Sequence, residues 1–294
     1  MHNDFEDFNR MKTMAEKRIF IGLIIGVIGI MLFLASMGMD ETGVIVLGAL
    51  ALTVSGIIFF VLGLASFSRL SQEFKSKYLP MMITSVLPDV NYHFDQGLSP
   101  QTVYATEFIK VADRYHSEDL FTGKIDGVDF IGGDVRLEER HVEQTKEGTR
   151  EYYVTYFLGR IFEFQFNKEF EGSLQILESG STESNRKYHK IKLESIDFNK
   201  KFRTYATTEL TAFYILTPEI MESILGLEKS NPRNVNLSFY GDKMYIAINN
   251  DRDTFELKMF RKIDQSMIDE YHKDLKIFKD IVTALRLNVQ IFKQ

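Results

Sequence analysis

Cysteine is missing from all 294 residues, which excludes disulfides, thiolate nucleophiles and cysteine-ligated zinc or iron–sulfur sites. The six histidines (His2, His93, His116, His141, His189, His272) show none of the His-x-x-x-His or His-x-His spacings that put two imidazoles on one metal. The Gly-x-Ser-x-Gly elbow, the Walker loop and the kinase signatures are missing as well. Gly127 to Gly133 holds three glycines but matches no dinucleotide fingerprint, and its strand-like setting predicts turns and bulges. Glu138-Glu139-Arg140-His141-Val142-Glu143 reads as the solvated tip of a hairpin rather than a carboxylate centre. The sequence therefore singles out no catalytic, cofactor-binding or metal-ligating residue and implies no cofactor.

A basic excess is also lacking. Net charge is −6, and beyond Arg69 there are 30 basic and 35 acidic residues. A balanced, slightly acidic domain offers no positive face to a phosphate backbone, so nucleic-acid binding is not expected.

What the sequence does have is a very uneven distribution of apolar residues. The mean hydropathy of −0.12 hides two stretches without an ionisable residue, Ile19 to Gly38 and Gly43 to Ser68. A helix needs about 20 apolar residues to cross a hydrocarbon core, so the pair predicts a transmembrane hairpin with spans at 19–38 and 43–67. A signal peptide is excluded by the length of the first run, the lack of an Ala-x-Ala site and the second span that follows. Arg10, Lys12, Lys17 and Arg18 precede the first span, and Arg69, Lys75 and Lys77 follow the second. The connection Met39-Asp40-Glu41-Thr42 has no base. The positive-inside rule then predicts a multi-pass protein of the inner cell membrane, with both termini cytoplasmic and the Asp40–Glu41 turn outside. Gly22, Gly26 and Gly29, with Gly48, Ser55, Gly56 and Gly63, predict close helix packing within the hairpin, or else homodimerisation. Neither span contains a charge that could serve transport.

Residues 1–18 form the N-terminal tail, 19–67 the hairpin, 68–120 a helical connector and 121–294 a β-rich domain. In the connector, Pro80 predicts a kink and Pro88 an end, and Ser99-Pro100 opens a short helix through Val111. From Phe121 the pattern alternates. A first strand pair is expected around Gly132-Gly133. A β-forming run follows over Glu151 to Asn167, with a turn or bulge at Gly159, and then strands at Ser173 to Leu177 and His189 to Leu193. Val235 to Ile248 reads as a tight hairpin about Gly241-Asp242, and Phe255 to Met259 as one more strand. Thr217-Pro218 starts a helix. Ser266 and Asp269 match a capping box for a long C-terminal helix, 266–292, striped by Tyr271, Leu275, Phe278, Val282, Leu285, Val289 and Phe292. That stripe packs on the sheet or forms a coiled coil. The fold class is α+β, and the outline of seven or eight strands closed by a helix matches a pleckstrin-homology-like barrel. Phe-Asn-Lys-Glu-Phe at 166–170 recurs as Phe-Asn-Lys-Lys-Phe at 198–202 without wider duplication.

Several segments stand out: Glu118-Asp119-Leu120-Phe121-Thr122-Gly123-Lys124-Ile125-Asp126-Gly127-Val128, Phe157-Leu158-Gly159-Arg160-Ile161-Phe162, Phe166 to Gly172, Leu193 to Phe202, and Ala212-Phe213-Tyr214-Ile215-Leu216-Thr217-Pro218 with Met221. Together they resemble a bacterial family, domain of unknown function 3137. The resemblance extends over nearly the whole chain, spans included. It implies one unit and a role in the cell envelope, and it carries no activity and no site residues.

The leading expectation is a non-enzymatic, membrane-tethered interaction or scaffold module on the cytoplasmic face, with the lipid bilayer and an envelope protein as partners and a homo-oligomer as a further outcome. One alternative is a headgroup- or peptide-binding domain using Arg186, Lys187, Lys190 and Lys192. Another is a membrane-bound hydrolase whose carboxylates converge only in three dimensions. A deep pocket holding two acids favours the enzyme, and a filled core favours the scaffold.

Overall fold

The computed structural model describes residues 2–37, 43–146, 148–178, 187–230, 235–251, 255–285 and 287. The chain divides into two compact units, Met1–Leu79 with Glu256–Tyr271, and Pro80–Phe255 with His272–Gln294.

In the first unit α1 (His2–Ser36) lies antiparallel to α2 (Gly43–Glu73). The buried positions of α1 include Phe8, Lys12, Ala15, Ile19, Gly22 and Gly29, and those of α2 are Ala49, Gly56, Gly63 and Leu70. Steps of four and three, or of seven, keep one narrow face on the partner, as in a left-handed coiled coil. The seam is so close that a Cβ at Gly56 would fall 2.4 Å from the Gly26 nitrogen, and one at Gly29 would fall 2.6 Å from the Thr53 nitrogen. Gly22 and Gly63 are equally tight, against the backbones of Phe60 and Ile19. Packing within the hairpin thus uses Gly22, Gly29, Gly56 and Gly63. Gly48 faces open space and Ser55 bonds back to the Leu52 carbonyl, so these two lie off the seam. The remaining surface is apolar and outward-facing, as at Phe20, Met31, Leu47 and Leu62. Phe5–Ser36 and Gly43–Val86 are long and apolar enough to cross a membrane, and the two apolar helices mark the chain for membrane association. The predicted Asp40–Glu41 turn lies outside the described residues.

After α2 the chain runs as a π-helical turn, Phe74–Tyr78, into α3 (Leu79–Val86). Pro80 therefore sits inside a continuing helix. The Leu79 N–H reaches back five residues to the Phe74 carbonyl, which absorbs the misfit of a proline that cannot donate. The helix ends before Pro88, as expected.

The second unit is α+β. Its antiparallel sheet runs β1 (Val90–His93), β2 (Arg114–Ile125), β3 (Val128–Thr145), β4 (Gly148–Glu178), β6 (Phe202–Ala206), β5 (His189–Ile191), with β7 (Val235–Asn249) also on β4. One face is covered by α8 (Gln265–Ala284). Phe278 sits 4.9 Å from Phe121, 5.1 Å from Phe162 and 5.7 Å from Phe130, ring centre to ring centre, and all four are buried. On the other face Val103, Phe108, Leu137, Phe157, Ile161 and Ala247 form a second buried cluster beneath α4 (Pro100–Tyr104) and the segment after it. Each such side chain contributes about 1.5–3 kcal/mol on leaving water. The core is filled.

Several expected elements differ. The first hairpin turns at Asp126-Gly127, with φ of 47° and 83°, as a two-residue primed turn requires, so Gly132 and Gly133 lie inside β3. Gly159 marks no turn. It lets β7 approach, since a Cβ there would lie 2.0 Å from the Ile248 carbonyl oxygen. Ser173 to Leu177 is the end of the single long strand β4. The tight hairpin about Gly241 is absent: Val235 to Asn249 is one strand paired with β4 throughout, bent at Gly241 (φ 61°) opposite bulges in β4. The bulge shifts the inward phase by one residue, from Val235, Leu237 and Phe239 to Met244, Ile246 and Ile248, and this shift mimics a reversal. Phe255 to Met259 is not a strand, although Phe255 and Leu257 are buried. α4 stops at Tyr104, with Ser99 as its cap. Two short helices, α5 (Ile196–Lys201) and α6 (Glu209–Ile215), precede the expected α7 (Pro218–Ser230). Asp264, not Ser266, caps α8 by accepting from the Met267 N–H. The stripe Leu275, Phe278 and Val282 is buried against the sheet, as the packed-helix reading requires, and Val289 and Phe292 lie outside the described residues.

Candidate functional site

Strands β3 and β4 outrun their neighbours. The pairing of β2 with β3 stops at Arg114 opposite Glu138, and that of β7 with β4 stops at Asn249 opposite Gly159. Among the described residues, Glu139–Thr145 and Gly148–Leu158 therefore pair only with each other, as a two-stranded ribbon that runs past β2 and β7. An isolated ribbon is marginal in water, so its base must hold it. Asn249 accepts from the Leu158 N–H at 3.0 Å and donates to the Tyr156 carbonyl at 3.1 Å. The Arg114 guanidinium lies 3.3 Å over the Tyr153 ring. Lys110 pairs with Glu139, and the Tyr156 hydroxyl donates to the Lys110 carbonyl. Farther out His141 stacks on Tyr152 with ring centres 5.5 Å apart, Arg140 pairs with Glu151 at 3.0 Å, and Val142 and Val154 are exposed. The predicted solvated tip, Glu138 to Glu143, instead runs from the base of this arm outward, and the arm turns only beyond Thr145. Alternating chemistry marked it as a hairpin; its freedom from neighbours could be read only from the register.

Two acids do come together, inside the second unit. Asp119 is fully buried and accepts from the Tyr92 hydroxyl, whose pKa burial and the Asp119 charge push far up. Asp134 accepts from Arg160 Nε at 3.0 Å, and the guanidinium lies 4.5 Å over Phe255 and donates to the Asp274 carbonyl at 3.4 Å. These groups lock the sheet to the residues that cover it.

In the first unit a groove of about 710 Å³ lies between α1 and the segment Lys262–Ile268. The segment is clamped to α1. The Asn9 amide donates to the Ile263 carbonyl at 2.8 Å and accepts from the Ile263 N–H at 2.9 Å. Lys12 donates to the Arg261 carbonyl and pairs with Glu16, while Lys75 pairs with Glu256. Arg10, Lys17 and Lys262 line the groove with Phe5, Met14 and Ile268, and also Glu6 and Asp264. Asp264 is held as the cap of α8.

The remaining sequence candidates scatter. Lys187 pairs with Glu107 at 2.6 Å, Lys190 and Lys192 are exposed, and Arg186 lies outside the described residues. His116 sits 3.4 Å from Glu118. Among the described residues no three His, Asp or Glu side chains group as a metal site. Of the two similar pentapeptides, 198–202 turns from α5 into β6 with Phe198 and Phe202 in contact, while 166–170 is part of β4.

No curated protein matches the chain. Among solved structures it is similar to the crystal structure of the mycobacterial trehalose monomycolate transport factor A, TtfA, at 9% identity and a TM-score of 0.37, over 71% of this chain and 96% of that one. The family model described as protein of unknown function (DUF3137) matches residues 155–287. That stretch holds β4 from Thr155 onward, β5 to β7 and α8, and it includes every segment of the resemblance from Phe157 on, while Glu118–Val128 lies before it. The resemblance read from the sequence is borne out there, over the residues 155–287 that match this family model.

Proposed function

We propose that the chain is a membrane-tethered, non-enzymatic interaction module whose hairpin crosses the inner cell membrane with both termini on the cytoplasmic side. The observation that carries this reading is the ribbon at 139–158, an arm that among the described residues runs past the strands on either side of it. Exposed edges recruit strands. Asp119 and Asp134, buried and engaged, weigh against a hydrolase. The test is crosslinking in cells followed by affinity capture of the full chain and of a variant with Arg140–Glu151 replaced by a two-residue turn. A partner lost with the ribbon is expected; a partner captured equally without it refutes the assignment. For topology, a reporter that works only in the cytoplasm, fused after Gln294, should be active. Silence would refute the orientation, which rests on the bases flanking the spans.

A second reading is favoured by the groove on α1. Arg10, Lys17 and Lys262 surround an amphipathic cleft within about two turns of the first apolar run, the height at which an anionic headgroup sits. It supports a lipid contact better than Lys190 and Lys192 of the pleckstrin-homology-like reading, whose neighbour Lys187 is already paired with Glu107. Native mass spectrometry of the chain with phosphatidylglycerol should show bound lipid that is lost in the Arg10→Gln/Lys17→Gln/Lys262→Gln variant. Undiminished binding sinks this reading.

A further inference from the structure

The outer edge of β3 has a definite chemistry. In a ribbon closed by Thr145 opposite Gly148, alternate residues turn both N–H and C=O away from β4. The parity is fixed at the base, where the Asp113 N–H donates to the Glu138 carbonyl at 3.0 Å and the Asp113 carboxylate accepts from the Arg140 N–H at 2.8 Å. Glu138, Arg140, Val142 and Gln144 therefore present the edge. Asp113 occupies Arg140, while Val142, 54% exposed, and Gln144 lie beyond the end of β2.

From this we infer that the edge pairs antiparallel with the same edge of a second copy, two-fold about Val142. The inference rests on the ribbon being the interaction arm and names its partner. An antiparallel pair related by a two-fold axis must place one residue opposite itself. Centring on Arg140 or on Glu143 puts like charges directly opposite. Centring on His141 sets Glu139 against Glu143, and centring on Gln144 runs into the turn after one residue. Centring on Val142 leaves no like-charge pair. Val142 meets Val142, His141 meets Glu143 on both sides of the axis, Arg140 meets Gln144, and Glu138 meets Lys146. Opposite charges and apolar side chains across a strand pair favour it, and like charges oppose it. The mutual Val142 N–H to C=O bonds lie at the axis, and the Gln144 N–H reaches the Arg140 carbonyl. The interface is short, and a common membrane compensates by raising the effective concentration of one ribbon near another.

The absence of cysteine makes the test clean. Full-length Val142→Cys, oxidised in native membranes, is expected to form a disulfide-linked dimer, because directly opposed residues of a hydrogen-bonded pair stand about 5.5 Å apart at Cα, within disulfide reach. Tyr152→Cys, on β4, should stay monomeric, since two further strand spacings of about 4.8 Å separate the copies there. Mixing His141→Cys with Glu143→Cys should give the heterodimer and confirm the register. Monomer at Val142→Cys, or an equal dimer at Tyr152→Cys, overturns the pairing. If Val142→Cys stays monomeric while the shortened ribbon still loses a captured partner, only the self-pairing falls. If the capture is also unchanged, the interaction reading falls with it.

Discussion

Asp134→Asn should be the most damaging isosteric change in the second unit. Asp134 and Arg160 are direct cross-strand partners, 3.0 Å apart, with side chains 8% and 6% exposed. At about 4 Å between charge centres and an effective dielectric near 20, their attraction is about 4 kcal/mol. Removing the carboxylate charge leaves a guanidinium in the core beside Phe255, and breaking such pairs costs about 3–5 kcal/mol. That is a large share of the stability of an ordinary domain, about 5–15 kcal/mol. The Asp134→Leu/Arg160→Met double variant should cost less than either single change, because both desolvation penalties vanish together. Urea unfolding of the detergent-solubilised chain, followed by far-ultraviolet circular dichroism, measures both. A loss below about 1 kcal/mol for Asp134→Asn, in the range of exposed pairs, would refute the pair's role, as would a double variant no better than the singles.

Phe278→Ala removes the ring against which Phe121, Phe130 and Phe162 pack and should cost about 3–5 kcal/mol in the same assay, with no change in detergent extraction. Gly56→Leu must push α1 off α2 and should lower the detergent-denaturation midpoint of the hairpin by about 1–3 kcal/mol equivalent, whereas Gly48→Leu, facing open space, should leave it unchanged. Burial raises the tyrosines at 92, 115, 156, 188 and 245, with Tyr115 pushed up to about 12. An acid whose pKa is raised in the folded state lends stability that is complete below its unfolded value near 10 and is lost as pH climbs toward 12. A phenolate titration at 295 nm should therefore show late-ionising tyrosines that appear together as the domain unfolds; simple titration of all 13 near pH 10 would contradict this.

What the sequence revealed, it revealed through periods that a single neighbour enforces. The seven-residue spacing of Gly22 and Gly29 in α1 and of Gly56 and Gly63 in α2 survives because one helix reads one face. The stripe Leu275, Phe278 and Val282 survives because one sheet does. Strand boundaries failed where the constraint came from a distant strand. Nothing within Glu151 to Leu177 says that the chain runs on unbroken, because β3, β7 and β6 take turns as its partners. Nothing near Gly241 separates a bend from a reversal, because a bulge and a hairpin both swap the inward parity.

The ribbon follows the same logic in reverse. Its residues look like ordinary edge sequence, charged and alternating, and local pattern cannot say that the strands on either side stop short. Only the register shows that β2 ends at Arg114 and β7 at Asn249, so that among the described residues seven positions of β3 have one neighbouring strand instead of two. The self-pairing proposed for Val142 would give that projection a use, and the Val142→Cys crosslink decides whether it does.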